Sequence, residues 1–306
     1  MRKLFVFFFV LATSFGYSQT AYEFAESGAN KVQKNLWKDA ILDFDKALEL
    51  NPNELLKPVI YYSRGTCKFI IRDYNDAISD FNKVIEFNNS EGKAYFYRGR
   101  CKLILNENKE AVLDFNKSIE LNYNISESYF YRGLSKNSLD EKINALLDIT
   151  KAIELDSNNS EYFHNRAIFK IQLSDYRGAL IDFNKAIELN PKNDALYAFR
   201  GLSKSSLKDY RGAIIDFNKA IELNPNSDFS YQQRGECKRS LNDNIGFISD
   251  YNKAIELKPN NSLYYLVRGL EFVTKLNEKD KGCLDFSKAG ELGDSRAYEY
   301  IKQYCN

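Results

Sequence analysis

The residues of this 306-residue chain that could do chemistry are either solitary or too regularly repeated to form one reactive centre. His164 is the only histidine, which excludes paired-histidine metal binding and a His-Glu-x-x-His zinc helix. There is no Gly-x-Ser-x-Gly elbow and no phosphate-cradling glycine loop. Acidic residues are plentiful, yet one aspartate recurs at intervals as Asp43, Asp80, Asp114, Asp148, Asp182, Asp216, Asp250 and Asp285. A catalytic carboxylate pair should break such a symmetry, and none of these does. Arginine recurs too, as Arg64, Arg98, Arg132, Arg166, Arg200, Arg234 and Arg268, and a lysine stands one helical turn later in most copies. These cations could make a basic rail for an acidic ligand or pair with the aspartates. With 43 Lys and Arg against 42 Asp and Glu, the balance favours pairing. No enzyme chemistry, cofactor or metal is expected.

Five cysteines leave at least one thiol unpaired within the molecule. Cys67, Cys101 and Cys237 each follow a recurrent glycine by two residues, where other copies carry Ser135 and Ser203, so they fill a small-residue slot. Equivalent slots of neighbouring copies should lie about 8–10 Å apart, beyond disulfide reach. Cys283 and Cys305 flank the last turn around Gly293, on helices that must run antiparallel, where a disulfide is geometrically open.

What positions all these residues is a repeat. Gly28, Gly65, Gly99, Gly133, Ala167, Gly201, Gly235 and Gly269 follow one another at a first step of 37 and then steps of 34 residues. A period of this size implies stacked helical hairpins, because one two-helix unit cannot bury its apolar face alone. In the clearest copy, Asp194 to Ser227, apolar residues at helical spacing run from Tyr197 to Leu207, and Lys208-Asp209-Tyr210 makes the turn. Ala213 to Leu223 then forms the second helix, which Asn224-Pro225 ends. Gly201, Ala213 and Ala220 are small where helices must approach, and Phe217 is the bulky residue between them.

The spacing Tyr197-x2-Arg200-Gly201-x2-Lys204, Ala213-x3-Phe217, Pro225 resembles the tetratricopeptide repeat. Eight copies show it, with Ala40/Phe44, Ala77/Phe81, Ala111/Phe115, Ala145/Ile149, Ala179/Phe183, Ala213/Phe217, Phe247/Tyr251 and Cys283/Phe286 at the diagnostic places. The family's leucine is replaced by the arginine column, and its tyrosine by lysine in seven copies from Lys31 to Lys238. The resemblance implies an all-α fold, an α-solenoid of about eight helix-turn-helix repeats at 21–54, 58–91, 92–125, 126–159, 160–193, 194–227, 228–261 and 262–293. After them, 294–305 reads as a capping helix with Ala297, Tyr298 and Ile301 on its apolar stripe and Asp294 at its start.

In the resembling family a partner lies along first-helix positions that here correspond to Tyr62, Phe96, Phe130, His164 and Gln232, with Phe69, Arg100, Leu134 and Arg239 beside them. This mixed aromatic and basic lining suits an extended peptide or a partner helix. The same aromatics could instead pack against the following repeat.

Residues 1–18 read as a secretory leader, with Arg2 and Lys3 before the apolar run Leu4–Ala12 and small Gly16 and Ser18 ahead of a cut before Gln19. The apolar run is short of the about 20 residues that cross a bilayer, so residues 19–306 are expected as one exported solenoid without stable membrane insertion. Losing Arg2 and Lys3 takes the formal charge from +1 to −1, which leaves no field for nucleic acid. The resemblance implies a scaffold for a protein or peptide partner, and the residues themselves point to a non-enzymatic one. A glycan or small-ligand binder of the cell envelope, or an enzyme accessory subunit, is the alternative.

Overall fold

The computed structural model describes residues 16–306, with side chains from Thr20. The basic start and apolar run of the leader lie outside the described residues. Among the described residues there are 17 α-helices and no strand, in two compact units that divide between Ser157 and Asn158. The first holds the hairpins α1 (Gly16–Gln33) with α2 (Trp37–Glu49), α3 (Lys57–Ile70) with α4 (Tyr74–Phe87), α5 (Gly92–Ile104) with α6 (Asn108–Glu120), and α7 (Ile125–Ser138) with α8 (Lys142–Leu155). The second holds α9 (Ser160–Gln172) with α10 (Tyr176–Leu189), α11 (Asp194–Ser206) with α12 (Tyr210–Leu223), α13 (Asp228–Ser240) with α14 (Asn244–Leu257), and α15 (Ser262–Thr274) with α16 (Lys279–Glu291). A last helix, α17 (Arg296–Tyr304), follows these.

Each hairpin reverses in the same way. One residue of the turn adopts a left-handed backbone, from Asn35 at φ 59° through Arg72, Asn106, Asp140, Ser174, Lys208 and Asn242 to Asn277 at φ 54°. In the second unit Asp175, Asp209 and Asp243 then cap the following helix, accepting the amides of Gly178, Gly212 and Gly246 at 2.8–2.9 Å. The helices stack because their small and bulky residues alternate. Ala213, Phe217 and Ala220 are fully buried, and they share one apolar cluster with Ala198 from the same hairpin and Cys237 from the next. Within a unit, one hairpin therefore completes its neighbour's core, which is the cooperative logic of repeat arrays.

The arginine, lysine and aspartate columns are clamps. Arg200 donates from Nε and Nη2 to the two carboxylate oxygens of Asp216 at 3.0 and 2.6 Å, and Lys204 reaches the same carboxylate at 2.7 Å. Arg200 Nη1 also donates to Asn184 of the preceding repeat at 2.8 Å. Its guanidinium stacks on Tyr197, three residues earlier, at 5.6 Å. The pattern recurs with Arg64 on Asp80, Arg98 on Asp114, Arg132 on Asp148, Arg166 on Asp182, Arg234 on Asp250 and Arg268 on Asp285. The bidentate fork explains why this column is arginine where the resembling family has leucine. The basic rail is thereby neutralised.

The last hairpin departs from the sequence reading at two points. The small residue that meets its partner helix is Gly282, where a Cβ would sit 2.4 Å from Val273, and Cys283 lies one residue off that face. One extra residue separates Arg268 from its aspartate, 17 positions instead of 16, which shifts the register. On α17 the stripe facing the core is Ala297, Tyr300, Ile301 and Tyr304, while Tyr298 points to solvent. Asp294 accepts the amide of Arg296 at 3.1 Å. Cys283 and Cys305 are disulfide-bonded with Cα atoms 5.8 Å apart, tying α16 to the end of the capping segment. Cys67, Cys101 and Cys237 are free and buried, and burial pushes the Cys67 and Cys101 thiols up to about 12, so they stay protonated.

Glu271 occupies the slot that holds Cys67, Cys101, Ser135, Ser203 and Cys237 in other repeats. It is 2% exposed, and its Oε1 has no hydrogen-bond partner among the described residues. Burial raises its pKa; Arg239 and Lys275 oppose the rise and Glu236 adds to it. A raised carboxyl pKa means a contribution to stability that is present at acid pH and lost as pH climbs through the folded-state value. Glu271→Gln keeps the shape and removes the charge. It should stabilise the chain by about 1 kcal/mol or more at pH 8 and by almost nothing below about pH 4. Urea denaturation at the two pH values measures the difference; an equal gain at both would assign the effect to packing.

Candidate functional site on the first helices

The sequence placed a partner along Tyr62, Phe96 and Phe130, and the structure corrects this. Tyr62 is 7% exposed, and Phe96 and Phe130 are 1% exposed, so all three belong to the core. Phe96 packs on Phe115, Tyr123 and Tyr131 with ring centroids 5.7–6.2 Å apart, and Tyr62 packs on Phe81 and Tyr97 at 6.0–6.1 Å. Burial raises the Tyr62 phenol, with the Tyr97 and Tyr123 phenols adding to the shift. These rings are the filler between consecutive hairpins.

The accessible chemistry of the first unit lies beside them. Phe69 on α3, Tyr97 and Arg100 on α5, and Tyr131 on α7 are half-buried. Phe69 meets Tyr97 edge-on at 5.7 Å. The Arg100 guanidinium lies 4.8 Å from the centroids of both Phe69 and Tyr131, and 5.7 Å from that of Phe96. No carboxylate among the described residues forms an ion pair with Arg100, in contrast to every arginine of the clamp column. Leu134, half-buried, follows Tyr131 by three residues on α7. Phe69 and Arg100 are thus brought together as the sequence suggested, whereas Tyr97 and Tyr131 were not anticipated. Their signal was present as the tandem aromatics Phe96-Tyr97 and Phe130-Tyr131, but adjacent helical residues point about 100° apart, and a shift of one residue exchanges core for surface.

In the second unit His164 lies between Phe183 and Phe199, at 5.9 and 5.6 Å. Its Nδ1 is buried without a partner, and burial lowers its pKa, so the ring is neutral at physiological pH. Gln232 is half-buried. Arg239 differs from Arg100: it pairs with Glu236 and lies over Phe247 at 5.2 Å. Glu236 also accepts the Tyr251 hydroxyl at 2.5 Å. The second unit therefore offers no unpaired cation on this face comparable to Arg100.

Among the described residues no three histidine, cysteine or acidic side chains stand close enough to hold a metal ion, and no helix is long and apolar enough to cross a membrane.

Hairpins of this length, stacked with one small-and-bulky template and reversed by one turn type, define a helical repeat protein of the α-solenoid class. Within the second unit, the tetratricopeptide repeat family model matches residues 160–193, 195–227 and 230–261. Solved structures share the fold. The C-terminal part of a repeat-containing protein from Cytophaga hutchinsonii is 18% identical with a TM-score of 0.66, over 78% of this chain and 98% of that one. Cut9–Hcn1 of the APC/C is 17% identical with a TM-score of 0.59, over 88% of this chain and 53% of that one. YrrB, described as having an unusual peptide-binding site, is 20% identical with a TM-score of 0.51, over 61% of this chain and 95% of that one. No curated protein matches the chain.

Proposed function

We propose that this protein is a non-enzymatic, exported scaffold that binds a polypeptide partner on the first-helix face of its first unit, around Phe69, Tyr97, Arg100 and Tyr131. The observation that carries this reading is Arg100. The arginines of the clamp column are neutralised by bidentate carboxylates, whereas here a half-buried guanidinium is held between two rings with no carboxylate on it. Aromatics and arginine are the side chains that anchor protein interfaces, and an arginine held by ring faces presents its N–H edge with little conformational freedom to lose. The unusual peptide-binding site of YrrB is consistent with peptide binding on such a fold.

Phe69→Ser combined with Arg100→Ala should leave the helical circular dichroism unchanged and lower capture of a partner from native envelope extract by about tenfold or more, as loss of two interface anchors implies. Leu113→Ser, on the exposed face of α6, is the control that should capture normally. Undiminished capture by the double variant would move the partner to another surface. For export, the protein recovered from its source cells should begin at Gln19, and a cytosolic form still carrying Arg2 and Lys3 would contradict it.

A further inference from the structure

The clamp column breaks at its two ends: in the first hairpin Ser27 stands in place of the arginine on Asp43, which keeps Lys31, and in the last hairpin it is the lysine that is missing. Asp80, Asp114, Asp148, Asp182, Asp216 and Asp250 each receive an arginine and a lysine, with the lysine Nζ at 2.7–3.0 Å. In the last hairpin the lysine position is Phe272. Asp285 keeps Arg268 alone, with Nε on Oδ2 at 2.8 Å and Nη2 on Oδ1 at 2.7 Å. Among the described residues nothing takes the lysine's place on its Oδ2.

Asp285 forms part of the wall of a cleft of about 480 Å³ between α14, α15 and α16. The rest of the wall is mainly apolar: Ile245, Ile248, Phe272, Leu276 and Leu284. Ile245 is 78% and Leu284 71% exposed, so two large aliphatic side chains stand in water at its mouth. The other charges are already matched. Arg268 donates its third nitrogen to Asn252 at 2.6 Å, and Lys281 pairs with Glu278 at the rim. The corresponding groove of the first unit, about 400 Å³, is lined by Lys38, Asp45, Lys68, Asp73 and Asp76 with only Ile41 and Ile71 among them, and Lys68 occupies its aspartate. The cleft of the last hairpin is thus the one where an internal lysine has been exchanged for an apolar floor.

We propose that this cleft docks a lysine side chain of a partner polypeptide, carried between aliphatic residues. Its ammonium takes the position on Asp285 Oδ2 that the repeat's own lysine holds elsewhere, and its methylene stem lies along Phe272. The flanking aliphatic groups cover Ile245 and Leu284. The chemistry selects this occupant. A carboxylate would face Asp285 and Glu278 with the nitrogens of Arg268 already engaged. A wholly apolar segment would seal the Asp285 carboxylate away from water with an acceptor site unfilled. A guanidinium would duplicate the fork that Arg268 already provides, whereas an ammonium is a compact donor on a flexible stem. This site is separate from the Arg100 face and independent of the function proposed there.

The probe is N-acetyl-Leu-Lys-Leu-amide, titrated into the full chain with isotope-labelled isoleucine and leucine methyl groups. Saturable shifts are expected at Ile245, Ile248 and Leu284. The norleucine analogue should bind about tenfold more weakly, the ratio for losing one charge-assisted hydrogen bond. Phe272→Lys supplies the lysine of the other repeats in exchange for a buried ring, so with its fold checked by circular dichroism it should lose the site, while Arg100→Ala should retain it. Equal binding of the norleucine or glutamate analogue, absence of shifts at millimolar peptide, or undiminished binding to Phe272→Lys would each overturn the proposal.

Discussion

Asp216→Ala is expected to destabilise the chain by about 3–5 kcal/mol, the range for removing one partner of a buried charge group. Asp216 is almost wholly buried on α12, and three nitrogens from α11 converge on its two oxygens. The substitution leaves the Arg200 guanidinium and the Lys204 ammonium beside each other with no counter-charge. It also slackens the Arg200 bond to Asn184, which joins this repeat to the one before. The damage should therefore appear in two hairpins. Hydrogen exchange should speed up across residues 176–223, and the urea transition should move to lower denaturant. The decisive comparison is Asp216→Leu with Arg200→Met and Lys204→Met, which removes the whole charge group. Buried ion groups replaced by apolar side chains of similar volume are often neutral or stabilising, so this triple variant should recover most of the loss. If the single variant costs less than about 1 kcal/mol, the clamp behaves as a solvated surface pair.

This clamp also marks how far the sequence can be read. The aspartate and arginine columns lie in one register, 16 residues apart across the hairpin, and the near-zero net charge favoured pairing over a ligand rail. Fold class and hairpins followed from the small and bulky positions, because those residue types have one steric use in a close-packed stack. The candidate site was less legible. Phe96 and Tyr97 have similar chemistry, and only the helix phase, set by tertiary packing, sends one inward and leaves the other half-open. Arg100 looked like one cation among many, and its lack of a carboxylate is a fact of three dimensions. Phe272 was visible as a missing lysine, but its consequence for Asp285 was not, because only the packing of α14, α15 and α16 shows that no other cation takes the vacant place on that carboxylate. Tyr298 misled for the same reason: on a short terminal helix, a stripe of three residues fits two faces.

Phe217→Ala should cost about 3–5 kcal/mol, as expected for a buried aromatic cut back to its Cβ, and its interaction with Gly201 shows why the ring and the glycine belong together. A Cβ at Gly201 would lie 3.1 Å from both Cε1 and Cζ of Phe217, and 3.3 Å from the Ala213 carbonyl oxygen. In the native chain, Gly201→Ala thus sets helix propensity, a gain of about 0.8–1 kcal/mol, against overpacking of about 1–3 kcal/mol. The net effect should be a loss. In the Phe217→Ala background the ring is gone and the void accepts a methyl group, so the same Gly201→Ala substitution should become stabilising by about 0.5–1 kcal/mol. A double-mutant cycle by urea denaturation reads this reversal of sign as a coupling energy. Additive effects would mean that ring and glycine do not share one cavity. The reversal would establish that the recurrent glycine is kept for contact with the following helix, since nothing in the backbone of α11 at that position requires it.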